Sequence, residues 1–225
     1  TLNDSFLEAA RAVPRLQHAN IVQVFDADRA GNFAYLAMEY VEATSLETVC
    51  DRAAQRGLPV PLEVALHVVL EVLAGLRYAH GKRGTGGPVL HGDVNPRTVL
   101  LTPDGEVKLI DFGLGEAFIG LATPAELNDL WAHRAPEQVD QREVDARADL
   151  FSTAALLLRL LTGQREFRDL DPERIEAALG TAPGPADQLA PGLRQELAGL
   201  VARGLDSDPA ARPPDAAEGW PWGRW

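Results

Sequence analysis

The residues of this chain that could do chemistry lie in one polar loop and one turn. The loop, residues 89–101 (VLHGDVNPRTVLL), places His91 and Asp93 between two apolar stretches, and Asp111 stands in a second turn behind another apolar stretch. Carboxylates in such places can accept a proton or bind a divalent cation. They can equally brace a turn by accepting hydrogen bonds from backbone N–H groups. Asp93 and Asp111 are therefore candidates for catalysis or metal binding, with turn bracing as the alternative.

The composition is that of a globular protein with an acidic surface. The 225 residues are 46% hydrophobic and 24% charged, which suits one domain with a real core, and the formal net charge is -12. This charge disfavours binding to nucleic acid or anionic lipid, and no apolar stretch is long enough to span a membrane. The single cysteine, Cys50, excludes an internal disulfide and fits a reducing compartment. We expect a cytoplasmic protein.

The apolar spacing predicts an α+β chain in which a hairpin comes early and most helices follow. A turn at residues 29–32 separates two segments rich in branched and aromatic residues, and later segments have helical periodicity. Residues 149–161 are apolar on nearly every side, which predicts a helix buried in the core. The predicted elements are a helix over 1–16, a hairpin over 21–28 and 33–41, a helix over 61–80, a flexible connector over 81–88, a small hairpin over 98–101 and 107–110, the buried helix, and helices over 171–179 and 192–204.

A series of ordered motifs resembles the protein kinase family, and most closely its bacterial Ser/Thr members. The motifs are HANIV at 18–22, MEYVE at 38–42, HGD at 91–93, DFG at 111–113, APE at 135–137, Asp149, and DPAARP at 208–213. Each is weak alone, but their order and spacing are specific and they cover nearly the whole chain. The resemblance implies a protein-kinase-like α+β fold with a partial N-lobe over 1–41, a C-lobe over 42–215 and a tryptophan-rich tail over 216–225. In that N-lobe it implies a first helix and a hairpin, without the family's three preceding strands.

The resemblance also implies roles for the loop residues. In the family, the loop aspartate accepts the substrate hydroxyl proton, while an asparagine and the DFG aspartate hold Mg²⁺. Asp93 then stands at the position of the base and Asp111 at a metal position, but Thr98 replaces the asparagine and Asn95 replaces a lysine that neutralises the moving phosphoryl group. Losing one such charge-stabilising group typically lowers the rate by about 10²–10³. We therefore expect impaired phosphoryl transfer.

A nucleotide site follows from the same resemblance. It implies hinge contacts from Met38, Glu39 and Val41, and an adenine floor formed by Leu100. ATP and Mg²⁺ are the ligands that the family binds. Here we expect them to bind weakly or not at all, because other positions depart from the family pattern.

These departures lie in the first helix, in the loop and near the APE motif. The family's helix glutamate falls on Ala9, with Glu8 one residue away, and its glycine-rich loop and lysine would precede Thr1. Gly92 replaces a loop arginine, and Leu130 replaces a threonine that bonds the catalytic aspartate. All of these changes weaken the case for turnover.

The structural positions of the family are better retained. The resemblance gives these residues roles in joining the two lobes and in bracing the C-lobe. They are His91, Phe112, Val13 and Val24 in the apolar column between the lobes, Asp149 at the base of the column, and the ion pair of Glu137 with Arg212.

Three functional hypotheses remain open. The leading one is a pseudokinase, a catalytically impaired domain that acts as a protein-binding signalling or scaffold module. The alternative is an active Ser/Thr protein kinase whose glycine-rich loop and lysine lie upstream, with Glu8 as the pairing acid, and the third is a nucleotide sensor without turnover. In each case the strand over 33–41 would have an open edge, and we expect a partner protein, an unseen segment or a local rearrangement to cover it.

Overall fold

The computed structural model describes residues 6–7, 9–11, 16–58, 60–84, 87–115, 131–163, 170–181 and 191–216. Predictions that concern Glu8, Val13, Leu130 and the tail tryptophans lie outside these residues. Among the helices within them, none is both long enough and apolar enough to cross a bilayer.

The described chain combines short strands with longer helices, and the predicted α+β character is confirmed. A helical piece at residues 6–7 and 9–11 comes first. The strands are β1 (Val24–Ala30), β2 (Phe33–Met38), β3 (Thr44–Ser45), β4 (Arg83–Gly84), β5 (Gly87–Pro88), β6 (Val99–Leu101) and β7 (Val107–Leu109). The helices are α1 (Leu46–Gln55), α2 (Leu62–His80), α3 (Pro136–Val139), α4 (Ala146–Thr162), α5 (Pro172–Thr181) and α6 (Pro191–Gly204), followed by a 3₁₀ turn at Pro209–Ala211.

Strands β1 and β2 form the predicted antiparallel hairpin. Its turn contains Gly31, whose φ of +60° suits a residue without a Cβ. The register pairs Asp28 with Tyr35. Arg11, from the helical piece, donates a hydrogen bond to the Asp28 carboxylate across 3.1 Å, and so ties the first helix to the hairpin.

A second sheet lies beside the polar loop. It contains β3, β6 and β7 in the order β3-β6-β7, and the pairing of β6 with β7 confirms the predicted small hairpin. Asn20, from the HANIV motif, donates from its side chain to the carbonyl of Val107 (2.9 Å) and to the carboxylate of Glu71 (2.6 Å). Because Glu71 lies on α2, this one side chain joins the N-terminal segment, the sheet and the first long helix.

Helix α4 forms the centre of the core, as the apolar run predicts. Every residue from Ala148 to Leu161 is buried, and the helix packs against α2 and α6. The Asp145 side chain accepts a hydrogen bond from the backbone N–H of Arg147 at its start, and Gly163 ends it with a φ of +72°. The helix begins three residues before the predicted start, because this cap precedes the apolar run.

Two segments differ from the prediction. The connector over 81–88 is not simply flexible: Arg83 pairs with Pro88 in the two-residue ladder β4–β5. Helix α1 was not predicted: it is short, half of its residues are polar, and Leu46 is its only fully buried residue. Its start is nonetheless encoded locally, because the Ser45 hydroxyl accepts a hydrogen bond from the Thr48 N–H.

The buried ion pair of Glu137 with Arg212 gives a test of the fold. The guanidinium donates two hydrogen bonds to the carboxylate, at 2.6 and 2.8 Å. Glu137→Gln removes the negative charge and leaves the buried guanidinium uncompensated, so we expect the free energy of unfolding in urea to fall by about 3–5 kcal/mol. The control is Asp140→Asn, which breaks an exposed pair with Arg142 and should cost less than about 1 kcal/mol. Equal losses in the two variants would contradict the prediction.

Candidate active site

The loop over residues 91–98, called the HGD loop below, is fixed to the core by the Asp149 carboxylate. That carboxylate accepts hydrogen bonds from the backbone N–H groups of His91 (2.9 Å) and Gly92 (2.8 Å), and from the ring of His80 (2.8 Å). Burial alone would raise the pKa of Asp149, but the hydrogen bond and charge of His80, together with the contacts of His91, outweigh it and hold the pKa below its usual value. A buried charge on α4 therefore sets the position of the loop.

His91 is packed inside this arrangement. Its ring lies 4.5 Å from that of Phe112 between centroids, and its Nδ1 accepts a hydrogen bond from the Asp93 N–H at 3.3 Å. Complete burial lowers the pKa of His91 to about 4, so the ring is neutral at physiological pH. The ring thus joins the HGD and DFG segments by packing.

Gly92 has a backbone reason to be glycine. Its φ is +76°, a conformation that side-chain-bearing residues seldom adopt. Its carbonyl also accepts a hydrogen bond from the side chain of Gln138 on α3 at 2.8 Å. Where the family has an arginine, this chain therefore has a glycine, and the loop is joined to the APE segment by the hydrogen bond from Gln138.

Asp93 is a buried carboxyl with an unused oxygen. Only 5% of the residue is exposed, and its Oδ1 has no hydrogen-bond partner among the described residues. The Nε of Arg134 lies 3.7 Å from that oxygen. Burial raises the pKa of Asp93 to about 6, against the opposing charges of Arg134 and Arg97 and the hydrogen bond of the Asn95 side chain, and the charge of Asp111 adds to the increase. At neutral pH the group is mainly ionised and can accept a proton.

The two substituted positions of the loop hold the loop itself together. The Asn95 amide donates to the Asp93 carbonyl (2.9 Å) and accepts from the Arg97 N–H (2.9 Å). The Thr98 hydroxyl lies 2.9 Å from the same carbonyl and 3.1 Å from the carbonyl of Asn95, and it accepts from the Asn95 N–H at 3.1 Å. Both side chains are buried, and their polar atoms serve loop backbone groups.

Asp111 has an unusual backbone conformation. Its φ is +66°, which is rare for a residue other than glycine and is a form of strain found at functional sites. The turn is closed by hydrogen bonds from the Leu114 N–H to the Asp111 carbonyl (3.2 Å) and from the Gly113 N–H to the His91 carbonyl (3.0 Å). Burial raises the pKa of the Asp111 carboxyl. The described residues contain no group of three or more His, Cys, Asp or Glu side chains placed to hold a metal ion.

A cavity of about 410 Å³ opens beside Asp111, between the first helix, the hairpin and the DFG turn. Of the residues predicted from sequence, it brings together Met38, Val24, Asp111 and Phe112. The other predicted nucleotide contacts, Glu39, Val41 and Leu100, are not part of its lining. The cavity therefore overlaps the predicted nucleotide contacts only at Met38.

The side chain of Glu39 is occupied elsewhere. It accepts hydrogen bonds from Lys108 Nζ at 2.9 Å and from the Gln23 N–H at 3.2 Å. The hydrogen bond from Lys108 lowers the pKa of Glu39. Leu100 is half-buried in β6, opposite Ser45 of β3. The backbone N–H of Glu39 is also engaged, because it donates to the Gln23 carbonyl at 2.8 Å.

Comparison with known proteins identifies the family. Residues 3–218 match the protein kinase domain. This chain belongs to the protein kinase family. The kinase domain is 32% identical over 219 residues to the tyrosine-protein kinase MasK of Myxococcus xanthus, covering 95% of this chain and 34% of MasK. It is 33% identical over 214 residues to the serine/threonine-protein kinase PknL of Mycobacterium tuberculosis, covering 92% of this chain and 50% of PknL.

A solved structure shows the same fold. The crystal structure of the Mycobacterium tuberculosis PknI kinase domain superposes with a TM-score of 0.68 at 28% identity, covering 94% of this chain and 73% of that one. The kinase domain thus has bacterial Ser/Thr kinase homologues and a kinase-like fold of mixed helix and sheet. It spans only part of the length of the curated relatives it matches.

Sequence reasoning overlooked three residues around Asp93. Arg134 and Arg97 are the cations whose charges act on it, and Gly115 lies against its Cβ. Arg134 stands directly before the APE motif and Gly115 two residues after DFG. Their closeness to these motifs was the only sign in the sequence that they could lie near the site. Their contacts with Asp93 form only in the folded chain, so the spacing of residues along the sequence does not reveal them.

The anchoring role of Asp149 can be tested by amide hydrogen exchange. Asp149→Asn removes the charge and turns one accepting oxygen into a donor, so at least one of the His91 and Gly92 N–H groups loses its partner. Since an unsatisfied buried donor costs about 1–3 kcal/mol, we expect these two amides to exchange about tenfold to a hundredfold faster. Ser152→Ala, a buried polar change one turn further along the same helix, should leave their exchange unchanged. Unaltered exchange in Asp149→Asn would refute the anchoring role.

Proposed function

We propose that this chain is the larger part of the catalytic domain of an ATP-dependent protein serine/threonine kinase, with Asp93 as the general base. The observation that carries the proposal is the buried Asp93 carboxylate, whose Oδ1 has no hydrogen-bond partner among the described residues. A buried acceptor without a partner costs free energy, so its retention is best explained by a ligand that uses it. The names of PknL and other bacterial relatives support the serine/threonine class.

The residues present fit Mg²⁺ together with the phosphates of ATP. Asp111 is a partly desolvated carboxylate in a strained turn, and a hard divalent cation prefers such oxygen ligands with water and phosphate oxygens completing its shell. The cation would neutralise charge on the phosphates. Thr98 is poorly suited to replace the family's asparagine as a ligand, because its hydroxyl already serves three backbone groups.

In the proposed reaction the substrate hydroxyl gives its proton to Asp93 Oδ1 as its oxygen forms a bond to the γ-phosphorus. The bond from that phosphorus to the bridging oxygen breaks, and ADP leaves with the electron pair. Asp149 and His91 hold the loop that carries Asp93. Burial keeps the pKa of this base near neutrality, where a general base works best.

The lysine and glycine-rich loop of the family are assigned in this proposal to sequence outside these residues. Both lysines of the chain are already engaged: Lys108 donates to Glu39, and Lys82 lies 4.5 Å from the centre of the Tyr78 ring. Strand β2 pairs with β1 alone within the described residues, and Phe33 on it is 78% exposed. An added strand could pair with this edge, and β2 ends at Met38, which lines the same cavity as Asp111.

Transfer of phosphate by the full-length protein tests this proposal. Asp93→Asn keeps the size of the side chain but cannot accept the proton, so we expect kcat for a protein substrate to fall by about 10²–10⁴. The control, Asp140→Asn, changes an exposed carboxylate away from the site and should retain full activity. Undiminished transfer by Asp93→Asn would exclude Asp93 as the base.

The pH profile gives a second test. A carboxyl with a pKa of about 6 is deprotonated above that pH and protonated below it, so the base is lost as the pH falls. We expect kcat/KM to fall about tenfold per pH unit below pH 6, measured in buffers of constant ionic strength. A profile that stays flat down to pH 5 would contradict the raised pKa or the role of Asp93.

The second candidate is a pseudokinase that binds partner proteins. The observation in its favour is that Asn95 and Thr98 direct their polar atoms to the loop backbone, which leaves the site without two groups that the family uses. The double variant Asn95→Lys/Thr98→Asn restores both groups. If their absence alone makes the domain inactive, this variant should transfer phosphate from radiolabelled ATP to a protein substrate. Activity in the unchanged full-length protein would reject this candidate.

A further inference from the structure

A buried arginine faces the general base. Arg134 is 2% exposed, and its Nε lies 3.7 Å from Asp93 Oδ1. This distance is too long for a hydrogen bond but close enough for strong charge attraction in a buried setting. The guanidinium therefore offsets the charge of Asp93 while the Oδ1 atom keeps its capacity to accept a proton.

Gly115 provides the space that this arginine fills. A Cβ at Gly115 would lie 2.8 Å from Arg134 Nη2, 2.8 Å from Asp93 Cβ and 3.0 Å from the Gly92 carbonyl oxygen. The φ of Gly115 is not in the left-handed region, so its backbone conformation does not by itself demand glycine. The absence of a side chain at Gly115 thus leaves the space that the long side chain of Arg134 occupies.

The loop has no cation at the position where the family has a lysine. Asn95 stands where the resemblance places a lysine, and its amide is committed to the loop backbone. Asp93 and Asp111 are both carboxylates in a poorly solvated region, and an arriving phosphoryl group would add more negative charge. A preorganised positive charge in such a place is worth much more than the same charge in water.

We propose that Arg134, seated in the space left by Gly115, supplies the positive charge at the transfer site that Asn95 cannot supply. This inference rests on the proposed kinase function. The groups that face Asp93 are Arg134 from the APE segment, Arg97 and Asn95 from its own loop, and Asp111 from the DFG turn. Arg97 is only half-buried, whereas Arg134 is shielded from water, so its charge acts more strongly on the carboxylate. Arg134 acts through Asp93 and is a positioning and electrostatic residue.

Kinetics of the full-length protein test the role. Arg134→Gln removes the charge, and we expect kcat to fall by about 10²–10³ while the KM for ATP changes less than about threefold. Arg134→Lys keeps a positive charge and should recover most of the lost kcat, which a purely structural role would not predict. Arg142→Gln, an exposed arginine further along the same segment, is the control and should retain full activity.

Gly115→Ala tests the same idea without removing any charge. The added methyl group would lie 2.8 Å from both Arg134 Nη2 and Asp93 Cβ, so the arrangement of these two side chains must change, and we expect kcat to fall in the same direction. If Arg134→Gln does not fold, as judged by circular dichroism, Arg134→Lys decides the matter, because it keeps the positive charge and should retain most of the kcat. Normal kcat in Gly115→Ala or in Arg134→Gln, a change in KM alone, or a rise in kcat would overturn the proposal.

The two proposals fail in different ways. An unchanged protein that transfers no phosphate refutes the kinase function and with it this role for Arg134. An active unchanged protein with a fully active Arg134→Gln variant refutes only the role of Arg134.

Discussion

The buried carboxylate of Asp149 is the interaction on which the geometry of the site depends. A charge inside the core is tolerated only when donors surround it, and here the donors are two backbone N–H groups of the HGD loop and the ring of His80. Because the core helix α4 needs these donors as much as the loop needs an acceptor, fold and site are stabilised together. The positions of Asp93 and of the His91 ring beside Phe112 both follow from this arrangement.

Different residues fix the conformation of the loop and supply the positive charge near Asp93. Asn95 and Thr98 spend their hydrogen bonds on backbone groups, which fixes the loop but adds no charge to the site. The cations that act on Asp93 are arginines, one of them from a separate segment. Arginine suits this task because its charge persists even when it is buried. The loop sequence alone therefore does not show the positive charge that Arg134 brings to the folded site.

Much of the fold could be predicted from sequence, because apolar periodicity reports burial directly. The β1–β2 hairpin and the all-round apolar helix α4 were both predicted, and the order of the motifs gave the family. Helix α1 was missed because it is short and half of its residues are polar, with only Leu46 fully buried. The predicted positions of Asp93 and Asp111 could be read from motifs, but the reach of Arg134 to Asp93 could not, because it depends on tertiary packing and on the space at Gly115.

The connection between the HGD loop and the APE segment is made by a neutral side chain, Gln138. Gln138 accepts a hydrogen bond from the Ala135 N–H with its amide oxygen and donates with its amide nitrogen to the Gly92 carbonyl. This single neutral side chain caps α3 and holds the loop at the same time. A neutral amide bridge needs no modified residue to form and is insensitive to ionic strength. The loop is consequently held from two sides, by Asp149 through its N–H groups and by Gln138 through its carbonyl, and both connections are present in the unmodified chain.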